Sequence, residues 1–182
     1  MNNTTVILRP AASADIPEIT QIYADHVRDG TGTFELEPPD EAEIARRMQA
    51  IAERGLPWLV ADREGEIAGY AYAGPFRARP AYDWLVEDSI YLRSDCLRIG
   101  IGSLLLDRLI DHCTELGHRQ MLALIGDSAN EPSIRVHRRA GFRHVGVMPS
   151  VGWKHDRWLD VVLMQRELGP GDSRPADARL RR

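Results

Sequence analysis

The stretch "LRIGIG", residues 97–102, places two glycines between a strand-like run and an amphipathic run. At such a junction the first N–H groups of a helix and the positive end of its dipole point at one spot. Gly100 and Gly102 therefore indicate a seat for a phosphate or pyrophosphate, although a plain tight turn explains the same pattern. A dinucleotide loop is excluded because Leu105 replaces the third glycine. A Walker A loop is excluded because no lysine precedes Ser103.

A carboxylate in a largely apolar run is the second candidate for chemistry. Glu87 lies in "DWLVEDSIYL". A carboxylate in such a strand is partly withdrawn from water, which raises its pKa toward neutrality and suits it to general base catalysis. The competing interpretation is an edge-strand glutamate that faces water. Asp88 points to the opposite face by strand alternation, and we expect it to be the water-facing carboxylate.

The segment "NEPSIRVHRRAGF" carries a third candidate, His137, on a predicted helix. Histidine exchanges a proton near neutral pH, but a helix-face histidine that only packs fits the same pattern. Asn130 is a strong candidate for the N-cap of this helix, and Ser133 lies in its first turn. Cys96 and Cys113 have no His or Asp partner in a recognisable motif, so neither is predicted to be a nucleophile.

A mixed sheet must position these side chains. Hydrophobic periodicity predicts the order β-α-α-β-β-β-α-β-α-β-β, which is an α/β (α+β) class with helices packed on the faces of a mixed sheet. Ser13 and Asp40 are predicted to cap the first two helices. Residues 63–65, Arg-Glu-Gly, are predicted to form a hairpin turn.

Length and composition limit the organisation of the chain. Its 182 residues suit one domain, which we place at residues 1–168. Residues 169–182 have no apolar period and are predicted to be a disordered tail. The net charge of −4 argues against nucleic acid and anionic membranes as partners, and no apolar run is long enough to cross a membrane.

Two isolated cysteines, outside any Cys/His cluster, predict a reduced chain without a structural metal. The N-terminus lacks the pattern of a signal peptide. We therefore expect a cytoplasmic protein.

The glycine junction and the "NEPSIRVHRRAGF" helix together resemble the Gcn5-related N-acetyltransferase (GNAT) superfamily. Its signature is Arg/Gln-x-x-Gly-x-Gly/Ala, followed downstream by an Asn-led helix that ends in Gly-Phe, here Gly141-Phe142. Leu97 departs from the signature, since it stands where the family has Arg or Gln. The segments "TGTFELEP", "PWLVAD", "GYAYAGPFRARPAYDW" and "GWKHDRWLD" are similar to the phosphinothricin and methionine sulfoximine N-acetyltransferase subfamily, over residues 6–168.

This resemblance implies the GNAT fold, in which helices flank a central mixed, mostly antiparallel sheet. It also implies an enzyme that uses acetyl-CoA as co-substrate and no metal. The acetyl group would pass directly to the α-amino group of a small amino acid such as phosphinothricin. Relatives that act on methionine sulfoximine or methionine sulfone share these motifs, so those acceptors remain open. A non-catalytic acyl-CoA-binding module is the distant alternative. A homodimer is expected by resemblance alone.

The resemblance also implies roles for single residues. Glu87 is expected to be the general base, directly or through water. His137 stands where many members have a tyrosine near the cofactor sulfur, and it is expected to be the general acid. Contacts with the pantetheine arm and the phosphates are expected from Ile90, Tyr91, Leu92, Arg98, Ile99, Gly100, Ile101, Gly102, Ser103, Asn130 and Ser133.

The acceptor of this subfamily carries an acidic group, which arginines and an aromatic wall would hold. The resemblance places Arg77, Arg79 and Tyr82 there, although a solvated charged loop is the ordinary fate of such residues. Phe34 is expected to help close the pocket from an earlier loop, as are Thr33, Trp153 and Lys154.

Overall fold

The computed structural model describes residues 5–176. Within that range, the chain forms seven strands and four α-helices in the predicted order. The strands are β1 (Val6–Pro10), β2 (Trp58–Arg63), β3 (Glu66–Pro75), β4 (Leu85–Leu92), β5 (Gln120–Gly126), β6 (Arg143–Lys154) and β7 (Arg157–Glu167). The helices are α1 (Ile16–Asp29), α2 (Glu41–Glu53), α3 (Ile101–Glu115) and α4 (Glu131–Arg139).

The strands form one sheet in the order β1-β2-β3-β4-β5-β7-β6. Only β4 and β5 pair in parallel, and every other neighbouring pair is antiparallel. The mixed, mostly antiparallel sheet is therefore confirmed. Its central strand is β4, which carries Glu87 and Asp88.

Successive side chains of β4 point to opposite faces of the sheet. On one face, the ring of Tyr91 meets that of Tyr23 from α1 edge to face, with centroids 4.9 Å apart. On the other face, Asp88 contacts His137 from α4. Glu87 shares the face of Tyr91, so adjacent carboxylates of one strand lie under different pairs of helices.

An aromatic row crosses β2, β3 and β4 on the α1 face. The ring of Trp58 stacks on Tyr72 with centroids 4.3 Å apart, and Tyr70 lies beside Tyr91 at 5.3 Å. Trp58 and Tyr72 are cross-strand partners in the register of β2 and β3. Such pairs add to the stability gained by burying the rings, so this part of the sheet is a firm platform for β4.

The predicted helix caps have different outcomes. Asp40 caps α2, because its side chain accepts a hydrogen bond from the Glu43 N–H at 2.8 Å. The predicted Ser13 cap is wrong: Ser13 begins a short 3₁₀ turn that precedes α1. The Asp15 carboxylate accepts from the Ala12 N–H at 2.7 Å instead, since the extra turn moves the free N–H groups upstream.

The segment after β7 folds back on the protein as far as it is described. The Arg119 guanidinium donates to the carbonyl oxygens of Gly171 and Pro175, both at 2.9 Å. The rest of the tail predicted at 169–182, residues 177–182, lies outside the described residues. Among residues 5–176, no helix has the length and apolarity needed to cross a membrane.

Candidate active site

The sheet opens between its two parallel strands. The pairing of β4 with β5 runs from Leu85 and Gln120 to Asp88 and Ala123, and it stops there although both strands continue. A cavity of about 1030 Å³ lies at this opening. It is the natural place to look for a ligand, because the separated strands present backbone groups that no neighbouring strand occupies.

Hydrogen-bond alternation identifies those backbone groups. The Arg93 N–H donates to the Ala68 carbonyl at 2.9 Å. In an antiparallel pair every second residue bonds the partner strand, so Tyr91 bonds β3, while Ile90 and Leu92 direct their N–H and C=O groups toward the opening. All three of these predicted residues line the cavity, and alternation makes Ile90 and Leu92 the two whose main-chain groups face it.

His26, which no sequence motif singles out, also lines this part of the cavity. Its Nε2 lies 2.8 Å from the Leu92 carbonyl oxygen. Its ring meets Tyr91 edge to face, with centroids 5.3 Å apart. The last turn of α1 therefore reaches the free edge of β4.

The glycine junction forms the opposite rim. Gly100 has a φ of 95° and Arg98 a φ of 62°, both in the left-handed region, and α3 begins at Ile101. The first N–H groups of α3 have no intrahelical partner. The rim itself is lined by Leu97, Arg98, Gly100, Gly102 and Ser103.

Two residues predicted for this junction direct their side chains elsewhere. Ile99 is exposed and Ile101 is buried in the core, and neither lines the cavity. Both can contribute only through their backbone. At the start of α4, the Asn130 side chain accepts from the Ser133 N–H at 3.3 Å, and both residues line the cavity.

Glu87 lies half-buried in the cavity wall on the α1 face. Burial, with a smaller contribution from the charge of Asp88, raises its pKa to about 7. No cation offsets this effect among the groups that shift it. A carboxylate in this state exchanges a proton close to physiological pH, which is what general base catalysis requires.

Asp88 does not face water, and that expectation is wrong. Its side chain is buried, with 3% exposure, because β4 is the central strand and α3 and α4 cover this face. Its Oδ2 accepts a hydrogen bond from Nε2 of His137 at 3.0 Å. The two buried groups form an ion pair when the ring is protonated.

His137 lines the cavity from α4 with 4% exposure. Its second ring nitrogen, Nδ1, lies 2.8 Å from the carbonyl oxygen of Ser133. Burial alone would lower the pKa of His137, but the charge and hydrogen bond of Asp88, with the Ser133 carbonyl, outweigh it and raise the pKa above its usual value.

The loop between α1 and α2 covers the α1 face of the opening. Thr33 is buried there: its carbonyl oxygen accepts from Lys154 Nζ at 2.9 Å, and its hydroxyl shares a hydrogen bond with the Tyr23 hydroxyl at 2.9 Å. Phe34 wedges between Gly126 of β5 and Gly152 of β6: a Cβ on Gly152 would collide with its ring, and one on Gly126 would make a tight contact with it. Phe34 thus fixes the loop, although its ring is not part of the cavity wall.

The predicted acceptor-binding loop lies apart from the cavity. Arg77 and Arg79 are exposed, and Tyr82 packs edge to face on Phe76 with ring centroids 5.5 Å apart. The Arg77 guanidinium lies over the Phe76 ring at 5.1 Å. None of the three predicted residues lines the cavity as residues 5–176 form it.

Further lining residues were not identified from the sequence. They include Thr31, Asp127, Arg135 and Arg139. Asp127 is held at the end of β5 by Nη2 of Arg157, which donates to it at 2.6 Å. Within the described part of the chain, no group of three or more His, Cys, Asp or Glu side chains is arranged to hold a metal ion.

Known proteins resemble this chain along most of its length. The model of the acetyltransferase (GNAT) family matches residues 19–142. A phosphinothricin N-acetyltransferase of Alcaligenes faecalis is 46% identical over 91% of this chain and 84% of its own. An L-methionine sulfoximine/L-methionine sulfone acetyltransferase of Pseudomonas aeruginosa is 41% identical over 92% of this chain and 98% of its own.

A solved structure gives the same result for the fold. The crystal structure of a GNAT superfamily phosphinothricin acetyltransferase from Sinorhizobium meliloti, in complex with AcCoA, superposes with a TM-score of 0.93. It is 47% identical and covers 96% of this chain and 94% of its own. The predicted fold and family are therefore confirmed, and the chain belongs to the acetyltransferase (GNAT) family.

Proposed function

We propose that this enzyme transfers the acetyl group of acetyl-CoA to the α-amino group of a small amino-acid acceptor such as phosphinothricin. The observation that carries the proposal is Glu87, a half-buried carboxylate with a pKa of about 7 in the wall of the cavity where the sheet opens. The relatives named above act on phosphinothricin or on methionine sulfoximine and methionine sulfone. Acetyl-CoA supplies an acetyl group that is activated as a thioester.

The cofactor end of the cavity has the donors that this molecule needs. Backbone N–H groups at the start of α3 and the side chain of Arg98 would hold the pyrophosphate. The backbone groups of Ile90 and Leu92 that no neighbouring strand uses would bind the amides of the pantetheine arm in the manner of an added strand, with the Leu92 carbonyl shared with His26. Asn130 and Ser133 lie on the same wall.

The chemistry needs one base. The acceptor enters as an ammonium ion, and Glu87 takes one of its protons directly or through a water molecule. The freed nitrogen then bonds to the acetyl carbon, the carbon–sulfur bond breaks, and its electron pair leaves on sulfur. The nitrogen loses a second proton. One of the two protons ends on the coenzyme A thiol and the other goes to solvent.

The departing sulfur carries negative charge. His137 lies on the cavity wall with a raised pKa, and we propose that it assists this departure. The acidic group of the acceptor would bind to Arg79 and Tyr82. Arg77, from the same segment, and Phe34, from the loop between α1 and α2, would complete the acceptor site. This assignment requires the exposed 76–83 segment to move toward the cavity or to be placed there in an assembly.

A thiol-release assay tests the proposed reaction. The acceptors are phosphinothricin, methionine sulfoximine, methionine sulfone and ordinary L-amino acids, each with acetyl-CoA. We expect turnover with the highest kcat/KM on phosphinothricin. A higher kcat/KM on methionine sulfoximine would transfer the substrate assignment to that acceptor. Clear binding of acetyl-CoA by calorimetry without turnover on any amine would contradict the enzyme proposal and favour a non-catalytic binding module.

We further propose that the enzyme is a homodimer and works in the cytoplasm. The β6–β7 hairpin forms an exposed edge of the sheet, and such an edge invites pairing with another strand. Its large exposed apolar side chains are Val145, Val147, Met148, Val151, Trp153 and Trp158. Clusters of this kind mark association surfaces. Two isolated, buried cysteines fit a reducing compartment.

Light scattering on the purified chain tests the dimer. We expect the mass of two chains for the wild type and of one chain for Trp158→Lys. The matched control is Ile7→Lys, an equally drastic change at an exposed apolar residue of β1, the opposite edge of the sheet. A monomeric wild type at micromolar concentration would contradict the dimer.

A further inference from the structure

The pair formed by Asp88 and His137 occupies the point where the sheet divides. Asp88 stands on the last rung of β4 that still pairs with β5. Its cross-strand neighbours are Ala73 on β3 and Ala123 on β5, which offer no polar group. The carboxylate therefore takes its partner from α4, across the beginning of the cavity.

The hydrogen bonds of the ring define its charge. Nε2 of His137 lies 3.0 Å from Asp88 Oδ2, and Nδ1 lies 2.8 Å from the Ser133 carbonyl oxygen. Both of these oxygens are acceptors, so the ring satisfies both only when each nitrogen carries a proton; the Ser133 hydroxyl, 3.4 Å from Nδ1, is the more distant contact. That form is the imidazolium cation. Neither N–H is then left to point into the cavity as a free proton donor.

This ion pair differs from the others in the described residues by its burial. Its side chains are 6% and 3% exposed, whereas every other pair includes a side chain that is at least 30% exposed. Buried ion pairs add little net stability. Oδ1 of Asp88 is also buried without a hydrogen-bond partner among residues 5–176. A buried ion pair with an unpartnered oxygen, placed at the wall of a cavity, is typical of a functional site.

Among the described residues, no other titratable group forms an ion pair with Asp88 or His137. Glu87, next on β4, points to the opposite face. Cys113 comes from α3, and burial together with the charge of Asp88 raises the pKa of its thiol to about 12, so it stays uncharged. Arg135 and Arg139 line the cavity from the same helix as His137.

We propose that Asp88 is a positioning residue that holds His137 as a fixed cation at the cavity wall. This inference rests on the proposed acetyl transfer. The cation stabilises the negative charge that develops on the leaving sulfur, and it keeps its own protons throughout. The sulfur is protonated by solvent after the carbon–sulfur bond has broken. Asp88 therefore acts on the reaction only through His137.

Removing the charge of Asp88 isolates this role. In Asp88→Asn the side chain keeps its size and can donate its amide N–H to Nε2. The ring then satisfies both partners as the neutral Nδ1–H tautomer. Burial, which lowers the pKa of His137, is no longer offset by a carboxylate. The variant thus exchanges a cation for a neutral ring at nearly constant shape.

Nitrogen NMR of ¹⁵N-histidine-labelled full-length protein tests the charge directly. At about pH 7.5 we expect both ring nitrogens of His137 to be protonated in the wild type, and only Nδ1 to be protonated in Asp88→Asn. In the thiol-release assay kcat should fall by about tenfold to a hundredfold. The KM for acetyl-CoA should stay within about twofold, because the glycine junction is untouched.

Asp15→Asn is the matched control. Asp15 is as buried as Asp88, and its carboxylate accepts from Arg9 at 2.7 Å, far from the cavity wall. This variant should lose thermal stability but keep the wild-type kcat and the His137 signals. If Asp88→Asn does not fold, His137→Gln provides the kinetic comparison, and the wild-type spectrum alone still reports the charge.

A neutral His137 ring in the wild type at about pH 7.5 would overturn the proposal, as would a wild-type kcat in Asp88→Asn. A wild type with no turnover on any amine would instead remove the proposed function. The two failures are distinguishable, because the NMR measurement requires neither acceptor nor acetyl-CoA.

Discussion

The two ends of the cavity present different kinds of chemical group. At the cofactor end the groups that face the opening are mainly backbone: Ile90, Leu92 and the start of α3 after Gly100. At the reacting end they are side chains, Glu87 on one face of β4 and the pair of Asp88 with His137 on the other.

This difference determines what each end tolerates. Backbone donors depend on conformation, so the cofactor end can lose a polar side chain, as it does at Leu97, and keep its donors. Side-chain charges depend on burial and on partners. Glu87 and Asp88 are adjacent in β4. Burial raises the pKa of Glu87 to about 7, whereas Asp88 accepts a hydrogen bond from His137 and raises the pKa of that ring.

The largest expected effect is at the reacting end. Glu87→Gln removes the base without changing shape, and kcat should fall by about a hundredfold to a thousandfold. The acidic limb of the wild-type kcat/KM profile should lie near pH 7, because the pKa of Glu87 is raised to about 7, and it should be absent in the variant. Initial-rate assays across pH measure both the fall in kcat and the position of the acidic limb.

Glu66→Gln is the control for that change, since Glu66 is an exposed residue of β3 that pairs with Arg93. It should keep the wild-type profile. An undiminished rate of Glu87→Gln at neutral pH would remove Glu87 as the base.

The next effect is at the cofactor end and concerns conformation. Gly100 has a φ of 95°, and a valine there costs roughly 1–3 kcal/mol or changes the turn. Gly100→Val should raise the KM for acetyl-CoA by about tenfold with a smaller change in kcat. Thermal unfolding should accompany the assay to show that the variant is folded. An unchanged KM would contradict a pyrophosphate seat at this turn.

The raised pKa of Glu87 also makes the stability of the folded state depend on pH. Its folded pKa of about 7 lies above the ordinary value of 4.5, so the folded state binds more protons than the unfolded state between these values. Wild-type stability therefore falls as pH rises through that window. Glu87→Gln does not titrate, and its Tm should exceed that of the wild type by about 3 °C above pH 7, with the gap shrinking toward pH 4.5. Calorimetry at the two ends of the window checks the sign.

The smallest effect is expected at Leu97. Leu97→Gln restores the polar residue of the family signature, but Leu97 is half exposed at a rim whose donors are backbone. The KM for acetyl-CoA should change by less than about twofold. A much larger decrease in KM would show that the side chain at this position matters as much as the turn.

Local signals made the elements predictable. The largely apolar run around Glu87 predicted a strand, and β4 lies there; Asp40 caps α2 as its residue type suggests. Ser13 failed as a cap because a 3₁₀ turn intervenes. The glycine junction was also local, and it appears where the strand-to-helix pattern predicted it.

Contacts between distant segments were not predictable. Asp88 was misplaced because alternation tells which face a residue takes, but not whether that face is covered. His26 reaches the carbonyl of Leu92, 66 residues away, and nothing in the sequence of α1 signals that contact. The Phe34 wedge depends on two glycines from different strands.

The aromatic row on the α1 face makes the cavity optically visible. Trp58 is buried and stacks on Tyr72, which lines the cavity, whereas Trp153 and Trp158 are exposed on the hairpin. Of the four tryptophans, Trp58 lies beside the cavity, Trp153 and Trp158 lie on the hairpin at the edge of the sheet, and Trp84 precedes β4. Emission from Trp58 therefore reports on the cavity, and emission from the hairpin pair reports on the proposed dimer surface.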